Sequence, residues 1–129
     1  MKRKGATDSA PFRLKHYELE AWKDSMRLVS HIYALTRDFP AEERFGLTSQ
    51  MRRASVSVPA NIAEGAARGS RIEFSRFLLI ARASLIELDT LLWLAKDLGF
   101  AANINEARSM LEACFAKING LIRSLGVRK

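Results

Sequence analysis

Residues 52–65 decide the fold, and they read Arg-Arg-Ala-Ser-Val-Ser-Val-Pro-Ala-Asn-Ile-Ala-Glu-Gly. A proline inside a helix removes one backbone donor and presses against the carbonyl four residues earlier, here that of Ser55. Apolar residues nevertheless recur on both sides of Pro59 within about 80° of one another, which is the spacing of one buried stripe. The stripe comprises Leu47, Met51, Ala54, Val58 and Ile62. This spacing predicts one helix with a kink at Pro59 rather than two helices.

The opposite face of the same helix carries small side chains: Ser49, Val56, Ser57, Ala60 and Ala63. Small side chains let another backbone approach closely, so we expect this helix to be packed on two sides. Thr48 is expected to cap its beginning. Gly65 is expected to take the left-handed conformation that ends it.

Length and composition indicate one soluble domain. The chain has 129 residues, of which 48% are hydrophobic and 27% charged, as in ordinary globular proteins. Its single cysteine, Cys114, excludes a disulfide within the chain and fits a reducing cytosol. No apolar run approaches the roughly 18 residues that crossing a bilayer requires. We therefore expect a cytoplasmic protein with no membrane partner, divided into a disordered basic arm (1–16), a helical domain (17–126) and a basic tail (127–129).

The net charge of +7 is concentrated in three places. Residues 1–16 contain five bases and one acid, and residues 117–129 contain four bases and no acid. Between them, residues 44–82 carry seven arginines, no lysine and two glutamates. Because the planar guanidinium matches pairs of phosphate oxygens, this distribution favours a polyanionic partner. An ordinary solvated surface is the alternative.

Four amphipathic segments follow one another along the chain. The first is predicted from Tyr17 to about Asp38, with a stripe of Trp22, Met26, Val29 and Tyr33 that Leu28, Ile32, Leu35 and Phe39 widen. The third should begin at a capping box of Ser70 and Glu73 and run over about 71–98. Gly99 then closes it, and Asn103 with Glu106 opens a last helix that ends at Gly126.

Short connections between four such helices predict an all-α fold, an antiparallel four-helix bundle with up-down-up-down order. The third helix has a main apolar stripe and a second one of Leu79, Ala83, Ile86 and Trp93. One four-helix core cannot cover two apolar faces on two of its helices, so the pattern also predicts self-association.

No constellation of catalytic or metal-binding residues is visible. His16 and His31 are far apart and have no ligands at metal spacing, so we expect no metal and no cofactor. Glu64 and Glu87 could pair across helices, but bonds to Asn61, Arg53 or Arg82 are the favoured interpretation. Cys114 lies in an apolar stripe and is expected to pack. Residues 65–71 combine two glycines, two arginines and the start of a helix, a combination that suits a bound phosphate. A plain turn is the alternative. The segment lacks the Lys-Ser/Thr ending of a nucleotide-binding P-loop.

The run Phe39-Pro-Ala-Glu-Glu-Arg-Phe-Gly-Leu-Thr-Ser-Gln-Met-Arg-Arg-Ala-Ser-Val-Ser-Val-Pro-Ala-Asn-Ile-Ala-Glu-Gly65, followed by Arg68 and by Glu73-Phe-Ser-Arg-Phe-Leu78, resembles a bacterial four-helix-bundle family. That family is named for proteins encoded in intervening sequences of large-subunit ribosomal RNA genes, and it includes accessory proteins of diversity-generating retroelements. The resemblance extends over about residues 17–125. One departure is Ala83-Ser84, where the family often has Gly-Ser.

The resemblance implies assembly into a pentameric barrel and, for the retroelement branch, binding of nucleic acid and of a reverse transcriptase through basic surfaces. Its motif carries over Arg52, Arg53, Pro59, Asn61, Glu64 and Gly65, the last four as structural residues. Our first hypothesis is a non-enzymatic homo-oligomer that binds RNA or DNA backbones. The residues expected to contact phosphates are Arg52, Arg53, Arg68, Arg71 and Arg76. The second hypothesis is a protein-interaction scaffold, for example an accessory subunit for a reverse transcriptase.

Overall fold

Residues 14–127, which the computed structural model describes, fold into four α-helices. Helix α1 spans Glu20–Thr36, α2 spans Leu47–Ala67, α3 spans Arg71–Asp97 and α4 spans Asn105–Leu125. One-turn 3-10 helices precede α1 at Lys15–Glu18 and α2 at Ala41–Glu43. No strand occurs in residues 14–127, so the predicted all-α class and the four-helix bundle are confirmed.

Each helix packs against two neighbours around one core. The neighbouring pairs are α1 with α2, α2 with α3, α3 with α4 and α4 with α1, while no Cα atoms of the two diagonal pairs come within 8 Å of each other in the described chain. The beginning of α3 meets the end of α4 through Arg71 and Leu125, and Asp89 farther along α3 meets Arg108 near the beginning of α4. An antiparallel arrangement of α3 and α4 produces such contacts. The up-down-up-down order of the four helices stays our interpretation.

Helix α2 is continuous on both sides of Pro59, as its apolar spacing predicts. Met51, Val58 and Ile62 are completely buried, and Pro59 is buried beside them. The main stripe of α3 supplies the facing side chains, among them Leu78, Leu85 and Leu88. The prediction of one helix is therefore correct, and the kink at Pro59 stays a prediction.

The prediction for the buried face of α1 was correct in part. Leu28, Ile32 and Phe39 are buried as predicted, but Met26 and Tyr33 of the predicted stripe are 45% and 40% exposed. The buried residues of the helix are Ala21, Ser25, Leu28, Ile32 and Thr36. The hydroxyls of Ser25 and Thr36 each donate to a backbone carbonyl of the preceding turn, at 2.8 Å. These bonds satisfy the hydroxyl groups within α1 itself, so Ser25 and Thr36 can be buried in the core. A prediction based on apolar residues alone places them on the surface. The helix also begins at Glu20, later than predicted.

Two helix ends differ from the predictions in residues 46–70. Thr48 does not cap α2; the Glu43 side chain accepts a hydrogen bond from the Leu47 amide at 3.0 Å instead. Gly65 lies inside α2, and Gly69, with φ of 74°, takes the left-handed conformation after the helix. An acidic side chain before the helix supplies the cap, and the chain turns one residue after the C-cap Arg68.

The remaining ends agree with the predictions in part: Ser70 caps α3, but the N-cap of α4 is Ile104, which makes no side-chain cap. The Ser70 hydroxyl accepts from the Glu73 amide at 3.3 Å, and the Asn103 side chain accepts from the Asn105 amide at 2.8 Å. Gly99 and Gly126 have φ of 81° and 65°, respectively. Glu73 does not complete the capping box in the predicted form, because its carboxylate binds Arg76.

Candidate nucleic-acid interface

One end of the bundle brings together four segments that are distant in sequence. They are the 3-10 turn before α1, the end of α2, the beginning of α3 and the end of α4, and they enclose a cavity of about 250 Å³. Its lining residues are Lys15, Leu19, Gly65, Ala66, Gly69, Ser70, Arg71, Phe74 and Leu125. We call this part of the molecule, together with Arg68 and Arg76, the basic end.

Gly65 determines how closely α2 and α3 approach here. A Cβ atom added at Gly65 would lie 2.6 Å from the Cβ of Phe77 and 3.1 Å from a ring carbon of Phe74. Contacts of 2.6 Å do not occur between real side chains, so only glycine allows this spacing. The motif glycine is therefore a packing residue, and it sets the walls of the cavity.

Arg71 joins two of the four segments. Its guanidinium donates to the carbonyl of Leu125, one of the last carbonyls of α4, which lack a partner within their own helix. Gly126 lies beside the same guanidinium. Because a guanidinium has five N–H donors, this bond leaves Arg71 able to hold a further acceptor.

Arg68 and Arg76 lie nearby in exposed ion pairs. Arg68 contacts Glu64 at 3.1 Å and lies over the ring of Phe77, with 4.9 Å to the centroid. Arg76 contacts Glu73 at 3.0 Å and its side chain is 61% exposed. Surface pairs of this kind contribute little to stability. Both guanidinium groups can therefore exchange a carboxylate for a phosphate at low cost.

Arg52 and Arg53, the other two predicted contacts, lie in the first half of α2. Arg52 donates to the Thr36 hydroxyl at 2.9 Å and stacks on the Tyr33 ring at 4.4 Å, so it connects α2 to the end of α1. Arg53 is exposed and lines a polar groove of about 540 Å³ between α2 and α3 that also contains Glu87. Of the five predicted arginines, Arg71 lines the cavity. Arg68 and Arg76 are its neighbours in sequence, and Arg76 lies about 140° around α3 from Arg71. Arg52 and Arg53 lie apart from them, in the first half of α2.

The polar residues of the motif bond to partners other than those expected. Asn61 donates to the carbonyl and hydroxyl of Ser57, at 2.8 and 2.9 Å, and the Ser57 hydroxyl is 2.8 Å from that of Ser84. Glu64 binds Arg68, and Arg82 donates to Asn119 at 2.6 Å. Asn61 and Glu64 thus take partners one turn away on α2, which lie within easy reach on the same helix face. Ser57 and Arg82 instead bond across to α3 and α4, respectively.

Sequence reasoning missed two features. Lys15 falls within the predicted arm, but it begins a 3-10 turn that packs against α1 and α2 and lines the cavity. The second is a partly buried ion cluster in which Asp24 accepts from Lys117 and Arg27, connecting α1 to α4. Asp24 and Lys117 are 93 positions apart, so nothing in the local sequence pattern indicates the pair.

Charge differs between the two ends of the bundle. The described residues begin at Leu14 and end at Val127, and both of these residues lie at the basic end. The bases of residues 1–13 and 128–129 are therefore connected to the bundle at that end. The predicted arm and tail themselves, residues 1–13 and 128–129, lie outside the described residues. The opposite end carries the acids Asp38, Glu42, Glu43, Asp97 and Glu106 together with the bases Arg37, Arg44 and Lys96. The positive charge of the sequence is therefore attached mainly to one end.

The described residues offer little for catalysis. No three His, Cys, Asp or Glu residues in 14–127 are grouped so that they could hold a metal. Burial is the main cause that raises the pKa of Cys114 to about 11, so the nucleophilic thiolate does not form at neutral pH. Among the helices of residues 14–127, none has the length and apolar character that a membrane span needs.

The fold and the basic end define a class: a small helical bundle with cations gathered around a cavity at one end. A family-wide sequence model described as "23S rRNA-intervening sequence protein" matches residues 17–120. The chain therefore belongs to that family, as its motif indicates. The comparison with curated proteins gives no match.

Proposed function

We propose that this protein is a non-enzymatic homo-oligomer that binds nucleic-acid backbones through its basic end. The observation that carries the proposal is the meeting of Lys15 and Arg71 at one cavity, with Arg68 three residues before Arg71 and Arg76 five residues after it, at the end where both basic terminal segments join the bundle. Phosphates would replace the weak carboxylate partners of Arg68 and Arg76. Binding of this kind depends on charge and releases counterions, so it does not require a particular base sequence.

The test is a binding titration by fluorescence anisotropy with a short RNA and a short DNA duplex, at several salt concentrations. The variant Arg68→Gln, Arg76→Gln removes two cations of the basic end, and Arg37→Gln, Arg44→Gln removes two exposed cations at the opposite end. We expect the first variant to reduce the log-log salt slope on DNA duplex by about 0.9 for each phosphate that it no longer neutralises. The control should keep the slope of the unmodified protein. Equal behaviour of the two variants, or binding that ignores salt, contradicts the proposal.

For the assembly we propose a ring of identical subunits, a pentamer as the family resemblance implies. The support from this chain is a set of exposed apolar side chains on the outside of α2 and α3, namely Val56, Ile80, Ile86 and Trp93, which are 42% to 55% exposed. Light scattering after gel filtration measures the subunit number. A monomeric protein would contradict self-association.

The same exposed side chains favour a second candidate function. In it the bundle is a scaffold for a protein partner, for example a reverse transcriptase, and has no direct role in binding nucleic acid. An oligomer that binds neither RNA nor DNA at about 50 mM salt, where phosphate contacts are strong, would favour the scaffold over the first proposal.

A further inference from the structure

The cavity at the basic end combines an apolar floor with a cationic rim. Leu19, Ala66, Phe74 and Leu125 line it with apolar atoms, and Lys15 and Arg71 line it with positive charge. None of its lining residues within the described chain is acidic. A ligand that fits this chemistry has a flat or compact apolar part next to a negative group.

The larger groove beside Arg53 does not share this chemistry. It is lined mostly by polar side chains and contains Glu87, which would repel a phosphate. The contrast matters because size alone would favour the groove. Charge and apolar lining together favour the smaller cavity at the basic end.

A nucleotide has the required combination of a ring system and an anion. In a duplex the bases are stacked and paired, whereas in a single strand they are free to stack on aromatic side chains. Phe74 supplies a half-buried ring in the cavity. His16 and Tyr17, next to Lys15, pack against Trp22 with centroids 4.9 and 5.7 Å away, and these three rings do not line the cavity.

The cations are held where a phosphate next to such a base would lie. Arg71 is fixed at the rim by its bond to the Leu125 carbonyl, and Lys15 reaches the cavity from the turn before α1. Because the two come from different segments, a phosphate between them would contact both only when the bundle is folded. A cluster of basic residues without this fold does not offer such a site.

We propose that this cavity receives an unpaired nucleobase while Lys15 and Arg71 hold its phosphates, so that the protein prefers single-stranded to duplex nucleic acid. This inference rests on the proposed function and adds the class of ligand to it. Base stacking is tolerant of sequence, so the preference concerns strandedness and not base identity.

The full chain is titrated with three probes of equal phosphate number: a single strand, a duplex, and a single strand whose central nucleotides are abasic. Each probe is made as RNA and as DNA. Stacking of one base contributes about 1–3 kcal/mol, so we expect the single strand to bind about 10-fold or more tightly than the abasic strand, with an unchanged salt slope. Tighter RNA binding would assign a contact to the 2′-hydroxyl, and equal binding would assign the site to base and phosphate alone; either result supports the cavity.

A cavity-filling variant and a matched control test the location. Ala66→Met places a larger side chain into the cavity without changing charge, whereas Ala67→Met enlarges the exposed neighbouring residue of α2. We expect Ala66→Met to abolish the difference between the intact and abasic strands and to keep duplex binding, while Ala67→Met keeps both. Circular dichroism checks that each variant is folded. If Ala66→Met does not fold, the comparison of the intact and abasic strands on the unmodified chain tests whether a base contributes to binding.

The outcomes separate the inference from the proposed function. Salt-dependent binding of equal strength to all three probes would overturn the inference and leave backbone binding intact. Binding to none of them would overturn the proposed function and the inference with it. Disappearance of the base effect in Ala67→Met as well as in Ala66→Met would place the base elsewhere and overturn the assignment to this cavity.

Discussion

Gly65 is the residue on which the packing of α2 against α3 depends. Its substitution by alanine would put a Cβ atom 2.6 Å from the Cβ of Phe77, an atom fixed to the α3 backbone. Helix propensity favours alanine by about 1 kcal/mol, but overpacking costs about 1–3 kcal/mol, so we expect Gly65→Ala to lower the free energy of unfolding by about 1 kcal/mol. Urea unfolding measures the change.

Gly120 provides the matched control, because it lies inside α4 where an added Cβ would meet only the Arg123 guanidinium at 3.9 Å. With no overpacking to oppose the gain in propensity, Gly120→Ala should raise the free energy of unfolding by about 0.5–1 kcal/mol. The same sign for both substitutions would contradict the packing role of Gly65.

Asp24 makes stability depend on pH. Burial alone would raise the pKa of Asp24, but the hydrogen bonds and charges of Lys117 and Arg27 outweigh burial and hold this pKa below its usual value. A carboxylate with a lowered pKa in the folded state stabilises the protein above the pKa of the unfolded chain, about 4. The contribution is lost as the pH falls through the lower, folded-state pKa.

We therefore expect Asp24→Asn to lower the free energy of unfolding by about 1 kcal/mol at pH 7, where it removes hydrogen bonds to a charged acceptor. The difference from the unmodified protein should shrink as the pH falls below about 4. Urea unfolding at a series of pH values measures it. Glu64→Gln removes an exposed pair with Arg68 on α2, outside the Asp24 cluster, and serves as the control. A difference that stays constant down to the lowest pH would contradict the mechanism.

The connection between α1 and α2 depends on Arg52. Its bonds to Thr36 and to the Tyr33 carbonyl, 2.9 and 3.4 Å long, reach the last turn of α1, where positive charge also complements the helix dipole. We expect Arg52→Ala to lower the free energy of unfolding by about 1–2 kcal/mol. Its nucleic-acid affinity at low salt should stay near that of the unmodified protein, because the guanidinium is engaged within the bundle.

Arg53→Ala, one residue along the same helix, is the control. Arg53 is exposed, so its replacement should change stability by less than about 0.5 kcal/mol. Thermal unfolding and anisotropy titrations on the two variants separate stability from binding. If Arg52→Ala weakened binding without changing stability, Arg52 would belong to the interface as first expected.

Helix α3 illustrates what an element's pattern can and cannot predict. Its main stripe is buried as predicted, but Ile86 and Trp93 of the second stripe are 55% and 43% exposed. Two apolar stripes predict two packing surfaces. They do not indicate whether the partner of the second surface belongs to the same chain or to another one. Only the arrangement of all four helices shows that it faces outward.

At the scale of the whole molecule, the exposed apolar side chains lead to a prediction about assembly. Ile80 is 44% exposed on α3, and burying an isoleucine contributes about 1.5–3 kcal/mol. If this face lies between subunits, Ile80→Glu should weaken association about 10-fold or more while the helical content stays unchanged. Light scattering over a dilution series and circular dichroism measure the two quantities.

Ser30→Glu adds the same charge to an exposed residue of α1, where no large apolar side chain is removed. Two results would count against the assignment of this face: an Ile80→Glu variant that assembles like the unmodified protein, or a Ser30→Glu variant that dissociates equally. Both variants keep the basic end unchanged, so their binding of nucleic acid also reports whether assembly is required for it.

The sequence by itself determined the four helices and the helix ends at Ser70, Gly99 and Gly126, because apolar spacing, capping side chains and left-handed glycines act within a few residues of one another. It also identified the motif that defines the family. The tertiary structure decided the rest: that Gly65 packs instead of capping, that Arg52 bonds to α1, and that Lys15, Arg71 and Leu125 meet around one cavity. These outcomes depend on distances between residues far apart in the chain, which the packing of four helices sets and no local pattern encodes.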